Sequence, residues 1–176
     1  MKIAVYTSIT NGYENLKQIP KNQSYDIDFI CFTDNPMMYS NGWMLKPIPD
    51  DLIKVPFHKQ QRLIKILPHR YLPDYGISLW VDGNIQITCD VLKFIQEYDL
   101  NLYSFYTRHH PSRDCTFQEA RAVINMKKVI PSIVNPQMNQ YKKEGLPEHF
   151  GMVESCIILR KHNKPTCVLL DNLWAE

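Results

Sequence analysis

The residues best suited to chemistry stand at the ends of apolar runs. Asp82-Gly83-Asn84 follows the run Ile77–Val81 and offers a carboxylate and an amide oxygen two positions apart. Both are hard oxygen donors of the kind that hold Mg²⁺ or Mn²⁺. Asp-Gly is also a favoured two-residue hairpin turn between strands, and the two readings are compatible. Arg62 and Lys65 lie three positions apart, a helical spacing that puts both on one face, and His69-Arg70 follow. These cations can face a diphosphate or form an ordinary solvated basic face. His109-His110-Pro111-Ser112-Arg113 follows another apolar run, where loops gather ligands. Adjacent histidines point apart in an extended chain, so one of the two at most serves a given ligand. Glu119 and Glu154 are acids that can act as general bases, and each suits an exposed helix or loop equally well.

Other chemistry lacks its signature. The chain has neither G-x-x-x-x-G-K-[ST] nor G-x-G-x-x-G, which argues against a P-loop NTPase and a dinucleotide dehydrogenase. There is no G-x-S-x-G elbow for an acyl-enzyme. The five cysteines are scattered without a C-x-x-C pair, so neither a zinc knuckle nor a disulfide framework is signalled and reduced thiols are expected.

The elements that must position these residues follow from hydrophobic period and turn signals. Ile3–Thr7 and Ile27–Thr33 read as buried strands, the first closed by Asn11-Gly12 and the second by Asp34-Asn35-Pro36. Trp43–Lys46 is a short strand candidate in a connector. Phe57–Leu67 has helical spacing with a basic face and stops at Pro68. Ile77–Val81 is a strand, followed by the 82–84 turn and a second extended piece, Ile85–Ile87. Asp90 caps a helix over Val91–Tyr98, and Leu102–Tyr106 reads as a strand. Helices are expected over Thr116–Val129, over Gln137–Glu144 with Gly145 as its stop, and from Pro165 to the end, with a strand at Cys156–Arg160. Strands interleaved with helices predict an α/β fold with a mixed, mostly parallel sheet flanked by helices. In such sheets the polar strand exits, here Thr7, Asp34 and Asp82, meet along the edge where ligands bind.

The 176 residues are enough for one domain, 1–176, and the composition, 44% hydrophobic and 22% charged, is that of a globular chain. Twenty Lys and Arg against eighteen Asp and Glu leave a charge of +2, too little for a partner bound through nucleic-acid phosphates. No apolar run approaches the ~20 residues that span a bilayer, and the N-terminus lacks the pattern of a secretion signal, so the expectation is a cytoplasmic protein without a transmembrane segment.

The stretches KIAVYTSITNGYE, DFICFTDN, KILPHRYLPDYGISLWVDGNI, HHPSRDCTFQEA and EGLPEHFGMVESCIILRKHN, taken in order, resemble the TOD/MUCI family of glycosyltransferase-like domains. The family looks like the GT-A class, whose Rossmann-like sheet binds a nucleotide-sugar at its strand ends and a divalent cation on a D-x-D carboxylate pair. The resemblance implies a glycosyltransferase that moves a sugar from a nucleotide-sugar, a UDP-sugar first among them, to a glycan or other acceptor in surface glycan biosynthesis. Asp82 and Asn84 occupy the positions of the metal-binding pair, with Mn²⁺ or Mg²⁺ implied as the cofactor. Asn84 replaces the second carboxylate and lowers the negative charge offered to the metal. By the same resemblance Thr7 lines the nucleotide pocket, Asp34 contacts the base or ribose, and Arg62 or Lys65 faces the diphosphate. His110, Arg113 and the following Glu119 match the family's His-x-x-Arg and Glu-Ala block and are assigned to the donor or acceptor pocket. Gly151 and Glu154 are assigned to the acceptor side, with Asp82 and Glu154 as the catalytic pair. Family members continue past the Trp174 region into an Arg-Asp-Gln-containing segment, so the resemblance implies either a chain truncated at Glu176 or a member that lacks part of its acceptor site. Two other readings accompany this one: a nucleotide- or glycan-binding domain without turnover, and a metal-dependent lipid amidase, for which His58, His69, His110 and His149 form no H-E-x-x-H type signature.

Overall fold

The computed structural model describes residues 1–24 and 27–175. Among the described residues three strands come first and helices and strands then intermingle: β1 (Ile3–Ile9), β2 (Ile27–Thr33), β3 (Met44–Pro47), α1 (Phe57–Ile66), α2 (Pro68–Tyr71), β4 (Ile77–Val81), α3 (Val91–Gln96), β5 (Phe105–His109), α4 (Thr116–Asn125), α5 (Pro131–Lys143), β6 (Val153–Lys161) and α6 (Lys164–Ala175). The sheet runs β3-β2-β1-β4-β6-β5. β1 pairs in parallel with β2 and β4, β2 in parallel with β3, and β4 antiparallel with β6. The fold is therefore α/β with a mixed, mostly parallel sheet flanked by helices.

The chain divides into two compact units, Met1–Tyr106 with Cys156–Glu176, and Thr107–Ser155. In the first, every residue of β1 and β4 is buried, the pattern of parallel strands covered on both faces. Alternation sorts the side chains. Val5, Ile9, Phe29, Leu79, Val81 and Val91 form the core on one face, where α3 packs. Tyr6, Ile30, Ile64, Leu67, Trp80 and Leu170 form the other, under α1 and α6. Pro68 ends α1 because its ring cannot continue the hydrogen-bond ladder, and the same residue opens α2 with its pre-set φ.

After β1 the chain builds outward through β2 to β3, then crosses to the opposite side of β1 for β4. The order reverses between β1 and β4, and their carboxyl ends, followed by residues 10–14 and 82–84, flank the crevice where open α/β sheets bind ligands.

The second unit packs α4 against α5 and contributes Phe117 and Ala120 as its buried helical residues. α5 has no buried residue. It opens with Pro131 at its start, carries Pro136 inside, and is ended by Gly145 at φ +83°.

Several boundaries differ from the sequence expectations. The strand expected at Leu102–Tyr106 begins at Phe105, because the Asp99 carboxylate accepts from the N–H groups of Asn101 and Leu102 and turns that segment instead. α4 ends at Asn125 rather than Val129, since Lys127 takes the left-handed φ of +57°. α5 starts at Pro131, six residues before Gln137. Ile85–Ile87 forms no strand: Ile85 N–H closes a turn on Asp82 O at 2.9 Å, and β4 finds its antiparallel partner in β6. The hairpin alternative for Asp82-Gly83 is thereby set aside, and the turn itself remains.

Candidate functional site

The site grows from the end of β4. The Asp82 backbone N–H donates to Cys156 O at 2.9 Å, so β6 holds the residue where β4 stops. Its carboxylate is oriented from two sides: Lys65 Nζ donates to Oδ1 at 2.9 Å and Trp80 Nε1 donates to the same oxygen at 2.6 Å. Trp80 is itself locked by full burial and an edge-on contact with Tyr6, centroids 5.1 Å apart. The Lys65 ammonium stands 5.2 Å from the Trp80 ring centroid. Lys65 and Asp82, with side chains 16% and 33% exposed, form a partly desolvated ion pair.

Lys65 owes its place to the C-terminal end of α1. Its carbonyl accepts from Tyr6 Oη at 2.9 Å and from Arg160 Nη1 at 2.7 Å, partners that satisfy a carbonyl left over at the helix end.

A cavity of about 240 Å³ opens at the β1 exit, lined by Ser8, Ile9, Thr10, Tyr13 and Glu14 and by Phe57, His58, Gln61 and Arg62 of α1; Lys65 and Asp82 are not in its lining. Gln61 Nε2 ties the helix to Ser8 O at 3.1 Å. Glu14 joins the cavity to the 82–84 turn: its Oε2 packs against Gly83 so closely that a Cβ there would overlap it. Burial first, and then the charge of Asp82, push the Glu14 carboxyl above the ordinary carboxylate range, against the pull of Lys17.

The structure thus brings Lys65, Asp82 and the cavity-lining Arg62 to one sheet edge. Asn84 is exposed in the adjoining turn. Asp34 is exposed at the end of β2, where its Oδ2 accepts from Asn11 N–H at 2.8 Å and pins the β1 exit loop. Thr7 does not line the cavity. It is fully buried inside β1, one residue before the cavity lining begins at Ser8. Glu14 and Trp80 were not singled out by sequence reasoning. The signal for Glu14 was an acid shortly after the Asn11-Gly12 exit of the first strand.

Asp82 is the one acid of the 82–84 turn, with its Oδ1 taken by Lys65 and Trp80, and among the described residues no group of three His, Cys, Asp or Glu side chains converges that could hold a metal ion. One or two carboxylates completed by substrate phosphate oxygens is the usual provision for Mg²⁺.

The second unit has its own polar network. His110 Nδ1 accepts from Arg113 N–H at 3.0 Å and from Ser112 N–H at 3.3 Å, which shapes the loop after β5. Arg113 Nε is ion-paired with Glu119 Oε2. His149 Nδ1 lies 2.7 Å from Asp114 Oδ1, and that bond holds the His149 pKa above its ordinary value. Gly151, at φ +97°, donates from its N–H to Asp114 O at 2.8 Å. Glu154, half-buried in β6, accepts at its backbone oxygen from Thr107 Oγ1 at 2.8 Å.

No helix among the described residues is long and apolar enough to cross a membrane. The chain is similar to a probable hexosyltransferase MUCI70 of Arabidopsis thaliana, 30% identical over 120 residues, a stretch that makes up 62% of this chain and 20% of that protein. The chain therefore matches about one fifth of the relative's length. Residues 51–176, which carry α1, the Asp82 turn and the whole second unit, match the sequence profile of the TOD1/MUCI70 glycosyltransferase-like domain, and the chain belongs to that family.

Proposed function

We propose that this domain transfers a sugar from a nucleotide-sugar, with a UDP-sugar as the favoured donor, to a glycan or other acceptor in surface glycan biosynthesis. The carrying observation is the meeting of Asp82, Lys65 and the Arg62-lined cavity at the β1/β4 switch point. That edge is where an α/β sheet binds a nucleotide, and it offers both a cation holder and cations for the diphosphate. Departure of the nucleoside diphosphate concentrates negative charge on its terminal phosphate. Arg62 and Lys65 stabilise that charge most where water is scarce, and Trp80 keeps the Asp82 carboxylate oriented towards Lys65. A Mn²⁺ or Mg²⁺ held by Asp82 supplies Lewis-acid stabilisation of the same phosphate.

A second reading, nucleotide binding without turnover, is favoured by the Lys65–Asp82 pair itself, which already neutralises the one acid of the 82–84 turn. A thermal-shift screen of UDP, GDP, CMP and dTDP with and without Mn²⁺, followed by donor hydrolysis assays, separates the two. Stabilisation by one nucleotide together with consumption of its sugar conjugate supports the transferase. Stabilisation without consumption supports the binding domain, and no stabilisation by any nucleotide overturns both.

A further inference from the structure

The second unit holds a groove of its own. Phe117, Ala120 and Ile124 of α4 recur at helical spacing and, with Met138 of α5, line a cavity of about 280 Å³ between the two helices. Phe117 and Ala120 are buried and form its apolar floor, and the Lys142 ammonium stands 5.3 Å from the Phe117 ring centroid. The cavity lies wholly within the second unit.

α5 packs here without burying anything. It runs for 13 residues and none of them is buried, although a helix in a folded protein owes most of its stability to a packed face. Its groove side, Asn135, Met138, Asn139 and Lys142, recurs at the i, i+3, i+4, i+7 spacing of a face that normally meets a core. Here that face meets a cavity, which leaves room for an occupant.

The polar side chains around the apolar floor say what kind of occupant fits. Arg121, Asn135, Asn139, Lys142 and Glu148 line the cavity, all are exposed, and none makes a side-chain hydrogen bond to another described residue. Two amides, a guanidinium and a carboxylate offer donors and acceptors from planar groups, which suits neighbouring hydroxyls that each donate and accept. Glu148 offsets part of the charge of Arg121 and Lys142, so the lining is not built around one strong anion. An apolar floor with a few convergent polar groups is the usual form of a small-molecule site, and it complements a pyranose ring, apolar on its C–H face and hydroxylated at its edge.

We infer that the α4/α5 groove binds a saccharide unit, its C–H face on the floor of Phe117, Ala120 and Met138 and its hydroxyls on Asn135, Asn139 and Arg121. Binding of the saccharide is independent of any transfer reaction; only its role as part of the acceptor rests on the proposed transferase.

The test applies the whole chain, without nucleotide, to an array of hexose, pentose and uronate oligosaccharides and titrates the best-retained one by calorimetry. The parent chain binds it saturably. Arg121→Ala on α4 and Asn139→Ala on α5 each weaken binding by about tenfold, the scale of one hydrogen bond withheld from a bound group. Both residues are exposed, so both variants are expected to fold; circular dichroism checks this, and Asn135→Ala stands in for either that does not. Retention of no oligosaccharide, or an affinity unchanged in either folded variant, overturns the inference. Retention confined to uronates and displaced by inorganic phosphate overturns it as well, in favour of an anion site at Arg121 and Lys142. Groove-dependent binding without sugar transfer from any nucleotide-sugar leaves the saccharide site standing and removes the transferase. Transfer whose acceptor KM is indifferent to both substitutions does the reverse.

Discussion

The Arg160 guanidinium, with no exposure to solvent, donates through Nη1 to the backbone carbonyl of Lys65 at 2.7 Å and to that of Ile66 at 3.2 Å. A cation at the C-terminal end of α1 complements the helix dipole. Through this bond and the one from Tyr6, the sheet fixes the backbone of the residue that pairs with Asp82.

Arg160→Met tests what the charge is worth. Nε and Nη2 have no hydrogen-bond partner among the described residues, and burial presses the guanidinium pKa down, so the charge carries a desolvation cost. Methionine removes that cost along with two hydrogen bonds of about 1 kcal/mol each, and the Lys65 carbonyl keeps the Tyr6 hydroxyl. Urea unfolding is expected to place Arg160→Met within about 1 kcal/mol of the parent, since the two effects oppose each other. Arg160→Ala, which leaves a cavity, is expected to cost about 2–4 kcal/mol. A methionine variant as damaged as the alanine one would show that the charge stabilises the fold.

Asp82→Asn keeps the shape of the side chain and an oxygen able to accept from Trp80 and Lys65, but removes the charge. The pair is partly screened by solvent at Asp82, so the expected stability loss is on the order of 1 kcal/mol. Donor turnover is expected to fall by about 10²-fold or more, the scale seen when one preorganised electrostatic group is removed. A folded Asp82→Asn protein with parental turnover would sink the assignment of Asp82.

How much of this was legible in the sequence follows from the range of the interactions involved. β2 and β4 run over the residues their apolar patterns mark, because a strand buried on both faces leaves an unbroken hydrophobic run. The start of β5 was hidden by Asp99, whose side chain competes locally with the ladder. Asp82 could be singled out because it ends a strand. Its pairing could not: Lys65, marked in the sequence only as a cation on a basic helix face, lies 17 positions away, and the contact depends on how α1 crosses the sheet. The contact of Glu14 with Gly83 likewise joins residues far apart in the chain and forms only once β1 and β4 pair in parallel.

Trp80→Phe separates packing from hydrogen bonding. Phenylalanine keeps an aromatic edge for Tyr6 and removes only the indole N–H that meets Asp82 Oδ1. In a cycle with Asp82→Ala, the two stability losses are expected to fall short of additivity by about 1.5–3 kcal/mol, the scale of one hydrogen bond to a charged group. Additive losses in urea unfolding would mean that Trp80 does not orient the carboxylate.

His162 makes stability depend on pH. Its ring Nε2 lies 2.8 Å from Ser78 Oγ, and its backbone N–H donates to Gly76 O at 2.8 Å. Burial, then the positive charges of Arg160 and His69, hold its pKa at about 4, below the ordinary 6.5. The unfolded chain therefore takes up the proton first as pH falls. Stability is complete above the unfolded value and drains away between about pH 6.5 and pH 4, a loss on the order of 3 kcal/mol from this group. His162→Gln keeps an amide for Ser78 and does not titrate, so its stability is expected to fall less over the same range. Urea unfolding of both proteins at about pH 7 and pH 4.5 measures the difference, because every carboxylate contributes alike to the two curves. Equal losses in parent and variant would mean that His162 accepts its proton in the folded state as readily as in the unfolded one.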